Sequence, residues 1–303
     1  MLGKKQPGPA TKVGEQIMET RRAVVTGASY GIGVHIARAL AARDIDLLLV
    51  ARSASELARV ARELGAPGRS VAYAALDLSS PSAAEDVAAA VTAELGSADI
   101  LVNNAAVELQ RRFHTLTAAE IEAVIRLDLI TPVALARVLL PGMIERGYGR
   151  IVNISSIAGR VGFPLSEAYA ASKDGLIAFS RVLRNDYRGT GVSASAVILG
   201  AVKGDGFGQR TLDELGLKTG GAMLATPQQV ANAVVRAIEK DTAEIVVMPG
   251  PGRLMKALMD LFPGMGPAMT RMSGGDKLMA TVADLREARR AAPSATGRSA
   301  QQP

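Results

Sequence analysis

Short apolar runs alternate with longer amphipathic segments from about residue 22 to residue 250 of this chain. The apolar runs, such as Leu47-Leu48-Leu49-Val50, are typical of strands buried on both faces. The segments between them have helical periodicity and are bounded by Ser, Pro and Gly where helices begin and end. Strands that alternate with helices in this way form a parallel sheet covered on both faces. This alternation is the strongest constraint on the fold.

The alternation predicts an α/β fold with a doubly wound (Rossmann) parallel sheet of about seven strands and helices on both faces, because crossovers between parallel strands are right-handed. The predicted strands cover residues 23–26, 46–51, 70–75, 100–103, 150–154, 192–198 and 245–248. The predicted helices cover residues 32–42, 55–64, 80–95, 117–127, 131–146, 167–187 and 227–240. No linker divides residues 21–250, so we expect a single domain there.

The remaining segments are predicted from their composition. Residues 1–20 are polar with Gly and Pro, and we expect a flexible N-terminal arm. The Gly-rich stretch 203–224 is a candidate substrate loop. Residues 251–290 are expected to form a C-terminal helical extension, and residues 291–303 a disordered tail. The five methionines within residues 255–272 favour a core or interface stripe, with an adaptable apolar wall for a substrate or partner as the alternative.

Composition excludes several classes of function. The chain has no cysteine, so disulfides and thiol catalysis are impossible, and its two histidines, His35 and His114, lie too far apart for a usual metal cluster. It shows no signal-peptide pattern and no apolar run that could span a membrane, which favours a cytoplasmic location. The net charge of +6 lies in residues 1–22 and 286–303, and only 3% of residues are aromatic. Basic charge confined to the ends argues against nucleic-acid binding.

A glycine-rich turn follows the first predicted strand and has the sequence Thr26-Gly27-Ala28-Ser29-Tyr30-Gly31-Ile32-Gly33. A strand leads into it and a helix leads out, and its glycines would let backbone N–H groups approach a pyrophosphate at the helix N-terminus. The spacing Gly-x3-Gly-x-Gly differs from the common dinucleotide pattern Gly-x-Gly-x2-Gly. The turn therefore predicts phosphate binding, with an ordinary tight strand–helix turn as the alternative.

Polar residues follow the second and third predicted strands. An acidic residue at the end of the second strand would bind the ribose of NAD, and this chain has Ala51 in that place. The guanidinium of the next residue, Arg52, can instead pair with the 2′-phosphate of NADP. We therefore expect NADP(H) to be favoured, with NAD(H) possible; a solvated surface cation is the alternative. Asp77 and Leu78 come within reach of an adenine ring, although Asp77 is as well explained as a helix-entry residue.

Ser156, Tyr169 and Lys173 have the spacing of an acid–base site. In a helix, Tyr169 and Lys173 lie one turn apart on the same face. An ammonium beside a phenol favours the phenolate, so we expect Lys173 to lower the pKa of Tyr169 from its reference value of about 10. Ser156, at the end of the preceding strand, would bind the same substrate oxygen. The alternative is an interface tyrosine and a solvated lysine.

These motifs, in this order, resemble the classical short-chain dehydrogenase/reductase (SDR) family, over most of the chain. The motifs that carry the resemblance are Thr26-Gly27 with Gly31 and Gly33, Asn103-Asn104-Ala105, Ser156, and Tyr169 with Lys173. The resemblance implies that Tyr169 is the general acid or base, that Ser156 binds the substrate oxygen, and that Lys173 binds the nicotinamide ribose. It also implies cofactor contacts by Gly27, Ser29, Tyr30, Gly31, Ile32, Arg52, Asp77, Leu78, Asn103, Ala105, Tyr169, Lys173 and Val202.

The chain departs from the SDR pattern at several positions. Asp128 stands where the family commonly has asparagine as a fourth catalytic residue, and we expect it to hold the same water and helix kink. An ionised Asp128 would offset the effect of Lys173 on Tyr169. Three smaller departures occur. Ala106 stands where the family usually has glycine, and Leu199-Gly200 stands where it has Pro-Gly. Gly204 stands where the family has a cofactor-binding threonine.

The sequence and the resemblance together predict an NADP-dependent oxidoreductase that interconverts a ketone and a secondary alcohol without a metal. Its substrate is expected to be a small apolar carbonyl or alcohol compound. The helices at 131–146 and 167–187 are long enough for the family's dimer interface, so we expect a homodimer or homotetramer. One alternative is a catalytically weak SDR-fold protein that binds dinucleotide as a regulator or scaffold. The other is a protein that binds membrane surfaces or nucleic acid through its basic ends.

Overall fold

The computed structural model describes residues 21–204, 211, 216 and 224–291. The predicted N-terminal arm, most of the predicted substrate loop at 203–224, and the predicted tail beyond residue 291 lie outside these residues.

A parallel sheet and its covering helices form the main domain. The strands are β1 (Arg22–Thr26), β2 (Asp46–Ala51), β3 (Val71–Ala75), β4 (Ile100–Asn103), β5 (Gly149–Ser156), β6 (Val192–Leu199) and β7 (Glu244–Val247). The helices are α1 (Ile32–Ala41), α2 (Ala54–Leu64), α3 (Ala83–Glu94), α4 (Ala118–Ile125), α5 (Thr131–Glu145), α6 (Ala158–Val161), α7 (Glu167–Asp186) and α8 (Pro227–Glu239). Three more helices follow the sheet: α9 (Gly252–Leu261), α10 (Met265–Met272) and α11 (Gly275–Ala291).

The sheet has seven strands in the order β3-β2-β1-β4-β5-β6-β7, and every neighbouring pair is parallel. The direction of winding reverses between β1 and β4. In a doubly wound sheet, ligands bind beyond the carboxyl ends of the strands at this reversal. The predicted fold, including the C-terminal helical extension, is confirmed.

Alternate residues of the central strands supply two hydrophobic cores, one on each face of the sheet. Val25 and Leu49 pack with α1, α2 and α8, whereas Val24 and Leu48 pack with α3, α5 and α7. All four side chains are fully buried. Burying such a side chain stabilises the fold by about 1.5–3 kcal/mol. Burial on both faces explains why the strands are continuous apolar runs in the sequence.

The predicted helices at 117–127 and 131–146 form one continuous rod. A capping box made by Thr117 and Glu120 begins α4, and the π-helical turn Arg126–Ile130 joins α4 to α5. Pro132 lies in the first turn of α5, where a helix tolerates proline. The sequence between the two helices therefore contains no breaker, and the chain bends without interruption. Single π-helical turns often occur at functional sites.

The C-terminal extension, predicted as helical over residues 251–290, contains three helices. Pro263-Gly264 separates α9 from α10, and Pro267 lies in the first turn of α10, where a helix tolerates proline. The predicted methionine stripe is confirmed only in part, because Met259 is buried while Met272 is 87% exposed.

β5 and β6 begin where two glycines touch. Gly147 ends α5 with φ +63°, and Gly191 precedes β6 with φ +84°. A Cβ on Gly191 would lie only 1.9 Å from the Gly147 carbonyl oxygen. The Gly149 N–H donates to the Gly191 carbonyl at 3.3 Å. This close approach fixes the register in which Gly149 pairs with Val192.

Replacing Gly191 by alanine should therefore cost more stability than replacing Gly189. Both glycines have positive φ, but a Cβ on Gly189 would meet nothing within 4 Å. In both variants, an alanine with positive φ is strained, which lowers the free energy of unfolding by about 1–2 kcal/mol. We expect Gly191→Ala to lower the free energy of unfolding by a further 1–3 kcal/mol, about the cost of overpacking. Urea denaturation of the two variants measures the difference, and equal losses would contradict the proposed contact.

Candidate active site

Close backbone contacts shape the glycine turn between β1 and α1. A Cβ on Gly27 would lie 2.9 Å from Ala105 Cα, and one on Gly33 would lie 2.1 Å from the Gly27 carbonyl oxygen. Gly31, the N-cap residue of α1, has φ +63°, a conformation that favours glycine. Within the described residues, no side chain caps the first turn of α1. Its N–H groups therefore suit an external anion such as a phosphate.

Thr26 ties this turn to the loop that follows β4. Its hydroxyl accepts hydrogen bonds from the N–H groups of Asn104 and Ala105 at 2.9 and 3.1 Å, and donates to the Val102 carbonyl at 3.2 Å. Asn104 Nδ2 donates to the Thr26 carbonyl at 2.9 Å. The glycine turn and the Asn-Asn-Ala motif are therefore one rigid unit. Ser29, Tyr30 and Ile32 lie in the same turn, with Tyr30 half exposed.

Three predicted cofactor residues have buried side chains. Asn103 Nδ2 donates to Asn153 Oδ1 on the neighbouring strand β5 at 2.8 Å. Leu78 is 4% exposed and Val202 5% exposed. Any cofactor contact by these residues would therefore come from their backbone groups.

Arg52 and Asp77 lie together beyond the ends of β2 and β3, and both are exposed. Asp77 accepts hydrogen bonds from the Ser79 hydroxyl at 2.7 Å and from the Ser79 N–H at 3.0 Å. These bonds, with a smaller effect of the Arg52 charge, hold the pKa of Asp77 below its usual value. The structure thus brings two of the predicted cofactor residues to one end of the sheet.

Ser156 and Tyr169 form the centre of the candidate site. Ser156 is the last residue of β5, two residues beyond the predicted end of that strand, and Tyr169 lies in the first turn of α7. A hydrogen bond joins their hydroxyl groups. Ser156 Oγ also accepts the Ala158 N–H at 3.1 Å. Both residues remain partly exposed, so their hydroxyls can bind one oxygen of a substrate.

Lys173 lies one helical turn after Tyr169, as predicted. Its Nζ is 5.5 Å from the centre of the Tyr169 ring and donates to the Ile154 carbonyl at 3.2 Å. The same atom is 3.5 Å from Asp128 Oδ2, and the Lys173 side chain is only 3% exposed. Lys173 is therefore a buried cation that joins α7 to β5 and to the π-helical turn.

Asp128 lies in the π-helical turn and is fully buried. Its Oδ1 accepts the Val107 N–H at 2.9 Å, and its Oδ2 faces Lys173. Burial raises the pKa of Asp128 to about 6, against the lowering effects of Lys173 and of the Val107 bond. Asp128 thus lies at the predicted helix kink, and its proposed hold on a water molecule stays a prediction.

The pKa of Tyr169 lies above its usual value, so the predicted lowering by Lys173 is wrong for this structure. Burial is the largest cause, followed by the negative charges of Glu108 and Asp128. The hydrogen bond with Ser156 acts in the opposite direction. The charge of Asp128 opposes ionisation of Tyr169, as expected from its position. The phenol therefore keeps its proton at neutral pH.

Glu108 is a site residue that the sequence analysis missed. Its Oε1 accepts the Ser166 hydroxyl at 2.6 Å, and its Oε2 accepts Gln110 Nε2 at 3.0 Å. Ser166 is the N-cap residue of α7, three positions before Tyr169. Burial raises the pKa of Glu108, against the lowering effects of these two bonds. The available signal was an acidic residue close after Asn-Asn-Ala, which alone does not reveal a site.

Helix α11 docks onto the same loop from the far end of the chain. Arg286 donates to the Leu109 carbonyl, and its Nη2 donates to the Thr211 hydroxyl at 2.9 Å. Arg112 forms an ion pair with Glu287 at 2.7 Å. The C-terminal extension therefore belongs to the surroundings of the candidate site.

Comparison with known proteins identifies the family of the chain. The family model described as short chain dehydrogenase matches residues 21–215. The chain belongs to the short-chain dehydrogenase family. Members of this family are oxidoreductases, and the enzyme acts on the pair of C=O and CH–OH groups with a nicotinamide dinucleotide.

Two relatives have sequences similar to that of this short-chain dehydrogenase. The ketoacyl reductase HetN of Nostoc sp. is 39% identical over 228 residues, which cover 75% of this chain and 78% of that protein. The D-beta-hydroxybutyrate dehydrogenase of Cupriavidus necator is 32% identical over 186 residues, which cover 61% of this chain and 72% of that protein.

Two solved structures share the fold. A metagenomic short-chain oxidoreductase in complex with NADP is 34% identical, with a TM-score of 0.64 over 76% of this chain and 97% of that chain. A variant of the actinorhodin polyketide ketoreductase with NADPH is 29% identical, with a TM-score of 0.70 over 77% of this chain and 97% of that chain.

The residues present fit a dinucleotide. The uncapped N-terminus of α1 suits a pyrophosphate, and Arg52 beside Asp77 lies at the end of the sheet where an adenosine would bind. Among the residues described by the structure, no helix is long and apolar enough to cross a membrane. In the same residues, no group of three or more His, Asp or Glu side chains could hold a metal ion.

The buried carboxyl of Asp128 should make stability depend on pH. Its pKa is about 6 in the folded chain against a usual value of 3.8. The protonated Asp128 therefore contributes its full stabilisation at pH values below the usual pKa. This stabilisation is lost as the pH rises through the pKa of the folded chain. Relative to Asp128→Asn, which cannot ionise, the wild type should lose about 2 kcal/mol of unfolding free energy between roughly pH 4.5 and 7. Urea denaturation across this range measures the loss.

The control is Asp44→Asn, because the Asp44 side chain is 97% exposed. Its ion-pair partner Arg69 keeps its hydrogen bond to the Leu64 carbonyl in this variant. Asp128→Asn also loses the ion pair with Lys173, which shifts its free energy of unfolding by a constant amount. The comparison therefore uses only the change of the unfolding free energy with pH. Parallel stability curves for the wild type and Asp128→Asn would contradict the raised pKa.

Proposed function

We propose that this short-chain dehydrogenase is an NADP-dependent ketoreductase in which Tyr169 is the general acid. The hydrogen bond between the Ser156 and Tyr169 hydroxyls carries the proposal, because two hydroxyl groups that contact each other can both reach one substrate oxygen. The names of the relatives, a ketoacyl reductase and a hydroxybutyrate dehydrogenase, support a ketone and its alcohol as the substrate pair.

Each residue of the site has a separate task in the proposed reaction. Ser156 donates a hydrogen bond to the carbonyl oxygen and stabilises the negative charge that develops there. Tyr169 gives its proton to the same oxygen. The nicotinamide cofactor, when bound, supplies the hydride that reaches the carbonyl carbon. The raised pKa of Tyr169 supports the reductive direction, since the phenol must carry a proton to act as an acid.

The cofactor would bind at the carboxyl end of the sheet, with its pyrophosphate at the glycine turn and its two nucleoside halves on either side of that turn. The first-turn N–H groups of α1, with Gly27 and Gly31, would bind the pyrophosphate. Lys173, fixed by the Ile154 carbonyl and Asp128, would bind the nicotinamide ribose. Arg52 would pair with the 2′-phosphate, which supports NADP over NAD.

Tyr169→Phe should abolish most ketone reduction while leaving the fold and cofactor binding in place. Loss of a general acid typically costs 10²–10⁴-fold in rate, so we expect kcat to fall at least about 100-fold. NADPH oxidation with cyclic ketones, β-keto esters and acyl thioesters measures this, and fluorescence titration measures NADPH affinity.

The control is Tyr73→Phe, because Tyr73 is exposed on β3, away from Ser156. Full activity of Tyr169→Phe would remove Tyr169 from the mechanism. A wild type that binds NADPH but reduces no ketone would favour the alternative of a catalytically weak, dinucleotide-binding regulator or scaffold.

Arg52→Asp should reverse the cofactor preference. A guanidinium–phosphate pair is a charge-assisted contact, and its loss should raise the Kd for NADPH at least about tenfold, or about 1.4 kcal/mol. An aspartate at this position would also accept the ribose hydroxyl of NADH. Arg62→Asp, on the exposed side of α2, is the matched control. If the wild type binds NADH as tightly as NADPH, Arg52 does not select the cofactor.

We also propose a homodimer or homotetramer. Exposed apolar side chains on α7 and on the rod formed by α4 and α5 support an interface there, namely Ile130, Ile144 and Val182. The cytoplasmic location, the single domain at 21–250 and the small apolar substrate stay predictions from the sequence.

A further inference from the structure

Glu108 lies between the catalytic helix and the C-terminal extension. Its carboxylate is bonded to Ser166 at the beginning of α7, so it lies about one helical turn from Tyr169. The preceding residue, Val107, is bonded through its N–H to Asp128. Glu108 thus lies beside the N-terminus of α7, which carries Tyr169, and in the loop that follows β4 at the carboxyl edge of the sheet, where ligands of a doubly wound fold bind.

The charge of Glu108 acts directly on the candidate site. Its charge opposes the ionisation of Tyr169 more strongly than the charge of Asp128 does. Its two oxygens accept bonds from neutral donors, Ser166 and Gln110. Neither bond cancels a negative charge. The residue remains partly exposed, so its carboxylate can meet a bound substrate.

Within the described part of the chain, the cations near Glu108 are already engaged. Arg286 donates to the Leu109 carbonyl and to Thr211, and Lys173 is buried against Asp128. The charge of Arg286 lowers the pKa of Glu108, but this effect is smaller than the raising effect of the Asp128 charge. The charges around Glu108 therefore do not offset its own for a substrate carboxylate.

The neighbouring surface is apolar. α11 packs on the segment that connects Ser156 to Tyr169, and five side chains form the contact: Phe163, Leu165, Leu278, Met279 and Val282. An apolar wall beside a partly exposed carboxylate suits a neutral substrate, because neither surface solvates an anion.

We infer that Glu108 is a specificity-determining residue that selects neutral ketones, such as β-keto esters, over β-keto acids. The inference rests on the proposed function and narrows its substrate class. Two like charges about 6 Å apart, at an effective dielectric constant of about 20, repel by enough to weaken binding about 100-fold. A neutral ester of the same β-keto acid avoids this repulsion and keeps the same reacting carbonyl.

The test compares acetoacetate, an anion at neutral pH, with methyl acetoacetate, its neutral ester. Initial rates of NADPH oxidation give kcat/KM for both ketones with the wild type, Glu108→Gln and Glu108→Asp. We expect the wild type to favour the ester about 100-fold. Glu108→Gln should reduce this preference at least tenfold, mainly through a lower KM for acetoacetate. Glu108→Asp keeps the charge and should keep most of the preference.

The matched control is Glu122→Gln, which removes an exposed carboxylate paired with Arg126 and should leave the preference unchanged. Thermal denaturation verifies that each variant is folded. If the ester is reduced but Glu108→Gln leaves the preference unchanged, or if the wild type favours acetoacetate, the inference fails while the proposed function stands. If neither ketone nor any other carbonyl is reduced, the proposed function fails and takes this inference with it.

Discussion

The burial of Lys173 is the constraint on which the site depends. A lysine that is 3% exposed needs partners, because an isolated buried charge costs several kcal/mol. The Ile154 carbonyl and Asp128 supply them, so β5, α7 and the π-helical turn must meet at this one ammonium group. The same requirement brings a second buried charge, Asp128, close to Tyr169. The acid–base properties of the site therefore follow from how the cation is accommodated.

The negative groups around Tyr169 explain why a neighbouring lysine does not make it a phenolate. Burial disfavours the charged form, and the carboxylates of Glu108 and Asp128 add to that effect. A phenol that holds its proton is suited to donate it. The two acidic side chains beside the buried cation therefore favour the protonated form of Tyr169.

Sequence patterns predicted the sheet, its order of elements and the residues at the strand ends, because the carboxyl ends of parallel strands always meet along one edge. The proximity of Tyr169 and Lys173 could also be predicted, because two residues four positions apart in a helix lie on the same face. The positions of Glu108 and Arg286 in the site could not be predicted, because these residues come together only when α11 packs on a loop that is far away in sequence. The raised pKa of Tyr169 also escaped prediction, since it depends on burial and on that same distant packing.

The ion pair between Arg112 and Glu287 joins positions 175 residues apart. Contacts of such long range form late, because the entropy of closing a long loop must be overcome before they add stability. During synthesis, Ser156, Tyr169 and Lys173 would all have left the ribosome well before α11 does. The apolar contact of α11 with Phe163 and Leu165 therefore forms only after the other elements of the candidate site have been made.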